Sequence, residues 1–286
     1  YDHNLKKDRL LNLKKSSRKF YFHKINIKNK NQLIKCFVKN KYKYVVHLAA
    51  QPGVRYSIKN PRQYLNTNII GFFNILEACK MFNIKHLVFA STSSVYGNGS
   101  FFPSKENDNT DKPLSFYAAT KKSNEVMAYS YSNLYKLPCT GLRFFTVYGP
   151  HGRPDMSLFK FTKSILKSKT IYLYNKGFHI RDFTYIDDAI KVIIKVLTSP
   201  PKQFVPFDIL NVGSGNPQKL KFFLSIIESF LKKKAKVILK GPQPGDVLRT
   251  HAYNKKLVKK TKIKFKTSFV SGVGKFINWY KSYYKS

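Results

Sequence analysis

Apolar positions along the chain follow two alternating rhythms. YKYVVHLAA (42–50), KHLVFAST (85–92) and LPCTGLRFF (137–145) are short apolar runs, and they predict buried parallel strands. PRQYLNTNIIGFFNILEACKMF (61–82) opens on proline and repeats its apolar residues at helical spacing. SFYAATKKSNEVMAYSYSNLYK (115–136) predicts a second long helix. The alternation continues with MSLFKFTKSILKS (156–168) helical, TIYLY (170–174) extended and IDDAIKVIIKVL (186–197) helical. FDILNV (207–212) is then extended and LKFFLSIIESFL (220–231) helical. Such a sequence predicts an α/β protein with a doubly wound parallel sheet. Beyond about residue 150, proline and glycine turns break the regularity, which predicts a smaller second lobe. Residues 1–150 and 151–286 are the expected units, with some later segments returning to the first.

The 286 residues are 43% hydrophobic, enough for a substantial core and unlike a disordered chain. No run of about 18 apolar residues occurs, so no membrane-spanning helix is expected. The first residues, YDHNLKKDRL, lack a signal-peptide core. Cys36, Cys79 and Cys139 are far apart within apolar segments and read as buried thiols of a reducing compartment, the cytoplasm. The seven histidines show no ligand spacing, so no metal is expected. The net charge of +39 leaves two readings open: a nucleic-acid binder, or a compositional bias spread over exposed faces. The basic residues are scattered, and no nucleic-acid-binding motif accompanies them.

One spacing carries candidate chemistry. Of the 19 tyrosines, only Tyr117 and Tyr172 have a lysine four residues later. Tyr172 and Lys176 span a strand and a turn, where such a pair lies over about 10 Å apart. Tyr117 and Lys121 share a helix, where residues four apart are about 5–6 Å apart and an ammonium can favour a phenolate. Spacing alone also permits a solvated Tyr/Lys face. Upstream, Ser91-Thr92-Ser93-Ser94 ends a predicted strand. That is where parallel sheets bind ligands, though hydroxyl runs also cap turns.

HLAAQPGVRYS, ASTSSVYG, YAATKKSNE, LRFFTVYGPHGRPDM and RDFTYIDD occur in this order. Together they resemble the extended short-chain dehydrogenase/reductase, or NAD-dependent epimerase/dehydratase, family over nearly the whole chain. Within it the match is closest to the UDP-glucuronate 4-epimerases, through YGPHGRPDMSLFKF. The resemblance implies a Rossmann-like fold, NAD as cofactor, a UDP-sugar substrate, a homodimer, and no nucleic-acid or membrane partner. It implies that Tyr117 takes the proton of the sugar 4-OH while hydride passes to NAD, with no net redox change. Lys121 would hold the nicotinamide ribose and lower the Tyr117 pKa. Thr92 would bond the sugar oxygen, with Ser93 and Ser94 in the same turn. Ala49, Ala50, Gln51, Asn26 and Phe144 would line the cofactor. Arg55 and Thr146 are candidates for the sugar end and its carboxylate, which arginine suits through bidentate bonds. Arg153, Arg181, Asp246 and Arg249 would grip the UDP end. Each arginine also has a plain alternative as a surface ion pair. Asp187 and Asp188 open a helix and suit its dipole rather than catalysis.

The chain departs from the pattern at its start. None of the pairs Gly97/Gly99, Gly213/Gly215 and Gly272/Gly274 continues into a dinucleotide-binding turn. Tyr1-Asp2 matches the segment after the family's second strand, so about 30–40 residues of βαβ opening are expected to be missing. The chain as it stands is then expected to bind NAD poorly, with exposed sheet edges and a partly unfolded first lobe. Asn26 replaces a usual aspartate near adenine, and its amide oxygen still accepts. Tyr253 replaces another aspartate, with no effect assigned. Ser93-Ser94 stands where a 4,6-dehydratase has Asp-Glu, which favours the epimerase over a dehydratase or decarboxylase. A non-catalytic remnant is the remaining alternative.

Overall fold

The computed structural model describes residues 3–99, 101–243 and 245–285. Tyr1 and Asp2, aligned above with the segment after a second strand, lie outside the described residues. Two helices come first, α1 (His3–Ser16) and α2 (Lys30–Asn40). Four parallel strands then build the main sheet in the order β1 (Tyr44–His47), β2 (His86–Thr92), β3 (Cys139–Phe144), β7 (Phe207–Val212). Their register sets Val88 beside Thr140 and Thr92 beside Phe144.

Successive side chains of a strand face opposite ways, and this puts a core on each side of the sheet. Leu87 and Phe89 of β2 join Leu33 and Phe37 of α2, Leu76 of α5 (Gly71–Met81) and Ala128 of α6 (Phe116–Tyr135). Val88 between them joins Leu142, Val192 and Val196 of α8 (Ile186–Leu197), and Leu257 of α10 (Lys255–Thr261). Helices on both faces of a parallel sheet make this a Rossmann-like doubly wound fold.

The expected helix over 61–82 is built from more than one piece. α3 (Val54–Lys59) and α4 (Pro61–Tyr64) lead into a wide π-helical stretch, Leu65–Ile70, before α5. Such π turns cluster at functional sites, and this one carries the buried Asn68. The expected buried strand over 42–50 is corrected among the described residues: Tyr44–His47 alone forms β1, with His47 buried and Tyr44 and Val46 exposed. It hydrogen-bonds a strand on one side only among the described residues. Cys79 and Cys139 are buried free thiols as expected, whereas Cys36 is half-buried beside Tyr42.

Two smaller sheets follow. β4 (Thr146–Tyr148), β6 (Ile180–Tyr185) and β8 (Pro217–Lys219) form one, and β5 (Ile171–Leu173) and β9 (Val237–Leu239) the other. α7 (Ser157–Leu166), α9 (Leu220–Leu231) and α11 (Phe269–Tyr284) enclose an aromatic core that includes Phe159, Phe183, Phe223 and Phe276. Phe183 and Phe269 stack at 4.8 Å between ring centres. α1 returns to this side: Asp8 accepts from the Tyr283 hydroxyl, and Arg9 donates to the Gly152 carbonyl at 3.0 Å.

Candidate active site

The carboxyl ends of β1 and β2 meet the first turns of α6. Ser115 caps α6 by accepting from the Ala118 amide at 3.2 Å, which satisfies a free donor of the first turn. The cap places Tyr117 in that turn and Lys121 one turn on. At the end of β2, Thr92 accepts from the Ser94 amide and donates to the Ser94 hydroxyl, both at 3.2 Å. The turn closes at Gly97, whose φ of 58° suits a residue without Cβ; an added Cβ would lie 2.7 Å from the Lys112 carbonyl oxygen.

Tyr117 is half-buried and meets Tyr64 edge to face at 6.1 Å. Burial holds its phenol above the usual value, while the Thr92 hydroxyl and the Arg153 guanidinium pull it down. Lys121 is 3% exposed, and its Nζ donates to the Ala90 carbonyl at 2.8 Å. Burial pushes this ammonium down to about 8. Burial, with the Lys121 charge beside it, pushes His47 down to about 3, so this imidazole is neutral. Lys121 is not among the groups that act on the phenol in the cofactor-free chain. The ammonium is turned to Ala90, Thr92 and Arg153 supply the lowering, and burial outweighs both.

Two buried networks hold α6 in register with the strand ends. Arg143 of β3 donates to both carboxylate oxygens of Glu125 at 2.9 and 2.8 Å, and Ser91 donates to Glu125 Oε1 at 2.5 Å. Arg143 also donates to the Tyr96 hydroxyl, which donates to Asn211 of β7. On the other side Asn68 accepts from the Gln51 amide at 2.8 Å and donates to Thr120 at 3.0 Å, while its carbonyl accepts from Asn124.

The expected cofactor side is the loop of Ala49, Ala50 and Gln51 after β1, adjoining Lys121. The donor chemistry fits the ribose of a dinucleotide. A lysine ammonium has three donors, and among the described residues Ala90 is its one hydrogen-bond partner. Asn26 precedes α2, and its side-chain oxygen accepts from the Lys28 amide at 3.1 Å. Phe144 is half-buried and packs into the core beneath α8. The 286 residues carry no glycine-rich turn ahead of β1.

A separate cavity of about 560 Å³ opens between α7 and β6. Arg55, Thr146, Arg181 and Asp246 line it, so four expected ligand residues meet there. Arg55 pairs with Asp246 at 3.0 Å and lies over the Tyr174 ring, which sets it with the group expected at the nucleotide end. Burial pushes the Arg181 guanidinium down to about 10, and its Nη1 donates to the Ile180 and Leu248 carbonyls. Arg153, expected at the UDP end, pairs with Asp155 of the cavity lining, and its charge also acts on Tyr117. Arg249 stacks on Phe102 at 4.9 Å and does not line the cavity. Asp188 of α8 accepts from the Thr267 amide, a structural duty. Sequence reasoning missed Tyr174, Lys160 and His179 in the lining. His179 stands one residue ahead of β6 and two before Arg181, outside the strand whose alternation would have marked its face.

A model of the NAD dependent epimerase/dehydratase family matches residues 2–213. Protein CapI of Staphylococcus aureus is 48% identical across 100% of this chain and 89% of its own length. UDP-glucuronate 4-epimerase 2 of Arabidopsis thaliana is 42% identical across 100% of this chain and 68% of its own. The crystal structure of UDP-glucuronic acid 4-epimerase from Bacillus cereus, in complex with UDP-glucuronic acid and NAD, superposes with a TM-score of 0.90. It is 31% identical and covers 98% of this chain and 87% of that one.

Proposed function

We propose, for a chain that belongs to the NAD-dependent epimerase/dehydratase family, inversion at carbon 4 of a UDP-hexuronic acid, interconverting UDP-glucuronate and UDP-galacturonate. The observation that carries this reading is Tyr117 and the buried Lys121 one turn apart on α6, with Lys121 hydrogen-bonded to the end of β2 and the Thr92 hydroxyl acting on the phenol. Relatives named UDP-glucuronate 4-epimerase support the choice of substrate.

NAD, when bound, supplies the hydride acceptor and donor that the amino acids lack. The side chains do the rest. Thr92 holds the 4-oxygen of the sugar, and Tyr117 takes and returns its proton. Lys121 directs its remaining donors to the ribose of the cofactor, beside Ala49, Ala50 and Gln51, and its charge favours the phenolate. The sugar carboxylate lies next to carbon 4, so Arg153, whose field already reaches Tyr117, meets it with Ser93, Ser94 and Thr146. Arg55, Arg181 and Asp246 take the nucleotide end.

Residues 1–150 form mainly the cofactor side and 151–286 mainly the UDP-sugar side. Phe73, Val126, Tyr129 and Tyr135 on α5 and α6 are exposed, an apolar surface suited to a homodimer. The buried free thiols suit the cytoplasm. The test is to incubate the protein with NAD and UDP-glucuronate and follow the sugar by NMR. UDP-galacturonate should accumulate to an equilibrium mixture. Interconversion of UDP-glucose and UDP-galactose, with UDP-glucuronate untouched, would overturn the choice of substrate.

A further inference from the structure

Among the described residues, one polar atom in the cavity between α7 and β6 makes no hydrogen bond. His179 is 5% exposed, lines the cavity, and its Nε2 makes no hydrogen bond among the described residues. The nearest carboxylate oxygen, Asp246 Oδ2, stands 3.9 Å away, beyond hydrogen-bond reach. Buried side-chain nitrogens are paired in the large majority of cases, so this one calls for a ligand.

We propose that His179 is a ligand contact of this cavity, taking a phosphate oxygen of a nucleotide sugar on Nε2 and acquiring a proton to do so. The proposal rests on the nucleotide-sugar reading above and adds a specificity residue to it. The charges around the ring favour an anion. Arg55 faces it from α3, Arg181 from β6, Asp246 from the loop beyond β9, and Lys160 and Lys163 line the cavity from α7. The two carboxylates of the lining are engaged, Asp246 by Arg55 and Asp155 by Arg153. Arg181, Lys160 and Lys163 have no ion-pair partner among the described residues, and the cavity is net cationic.

Burial lowers the His179 pKa, and the neighbouring Arg181 and Arg55 lower it further against the pull of Asp246 and the Tyr174 carbonyl. That carbonyl also favours the proton on Nδ1, which leaves Nε2 bare in the neutral ring. A bare nitrogen and a phosphate oxygen are both acceptors, so the contact, made while Nδ1–H stays on the Tyr174 carbonyl, needs one added proton. A ribose hydroxyl would donate to the bare nitrogen and need none.

The two contacts separate in calorimetry of UDP-glucose binding, run in two buffers of different ionisation enthalpy at pH 7.5. The diphosphate diester of this probe loses no proton near neutrality, and its sugar has no carboxylate. Wild type should take up about one proton on binding. His179→Gln, which can donate its amide N–H without titrating, should bind within about threefold of wild type and take up none. His179→Leu should bind about tenfold or more weakly, with unchanged circular dichroism. Binding with no proton uptake and no loss in His179→Leu would overturn the proposal. So would uptake that persists in His179→Gln. Weakening in His179→Leu without uptake in wild type would assign the ring to a hydroxyl and overturn the phosphate contact. If UDP-glucose does not bind wild type at all, the nucleotide-sugar reading fails with it.

Discussion

Arg143 on β3 and Glu125 on α6 form a two-pronged ion pair at 2.9 and 2.8 Å, with both side chains no more than 5% exposed. The pair lies one turn beyond Lys121 on the same helix. Ser91, the residue before Thr92, donates into the same carboxylate. A buried charge pair that touches neither Tyr117 nor Thr92 thus ties together the helix and the strand end that carry them.

Removing one partner strands a buried charge. Arg143→Met should cost about 3–5 kcal/mol in urea unfolding. The double change Arg143→Met with Glu125→Leu should cost clearly less than the sum of the two single changes, because neither charge is left unpaired. Strict additivity would show that the pair does not act as a unit.

Tyr117→Phe keeps the ring against Tyr64 and removes the proton carrier. Loss of that proton transfer should lower kcat by about 10²–10⁴-fold, with UDP binding unchanged by calorimetry. Turnover near that of wild type would remove Tyr117 from the chemistry.

Arg153→Ala should discriminate between substrates. Loss of a charged hydrogen bond to the sugar carboxylate costs about 1.5–3 kcal/mol, so kcat/KM for UDP-glucuronate should fall at least tenfold more than for UDP-glucose. Equal losses for both sugars would place Arg153 elsewhere.

Lys121 gives the stability a pH dependence of known sign. Folded, it titrates at about 8; unfolded, a lysine titrates at about 10.4. Between these values the unfolded chain binds more protons, so unfolding free energy rises with pH across the window. Below about 8 both states are protonated and the burial cost is fully present. The cofactor-free chain should gain up to about 3 kcal/mol from this group across the window. Other lysines titrate nearby, so the measurement is the difference between wild type and Lys121→Met, which should lack that gain. Identical slopes for the two would refute a buried, perturbed ammonium.

The amino-acid sequence alone determined the strand and helix alternation and the helical setting of Tyr117 and Lys121. Each of these is written within a few neighbouring residues: a β-branched run, a 3.6-residue stripe, Ser115 ahead of its helix. Where that local signal was weak, elements went unread. α1 buries a single residue, Leu5, and so carries no stripe. α11 contains Gly272 and Gly274, which count against a helix, yet Gly272 is needed because a Cβ there would lie 2.2 Å from the Tyr148 hydroxyl oxygen. Only the tertiary structure decided which partner each side chain finds. Arg55 meets Asp246 across 191 positions of chain, and Arg9 meets Gly152 across 143. It turned Lys121 to Ala90, brought the Arg153 charge to bear on Tyr117, and, among the described residues, left the His179 Nε2 without a hydrogen bond. Burial and charge at one point in space are summed over segments that are remote along the chain, and no periodicity within a single segment records that sum.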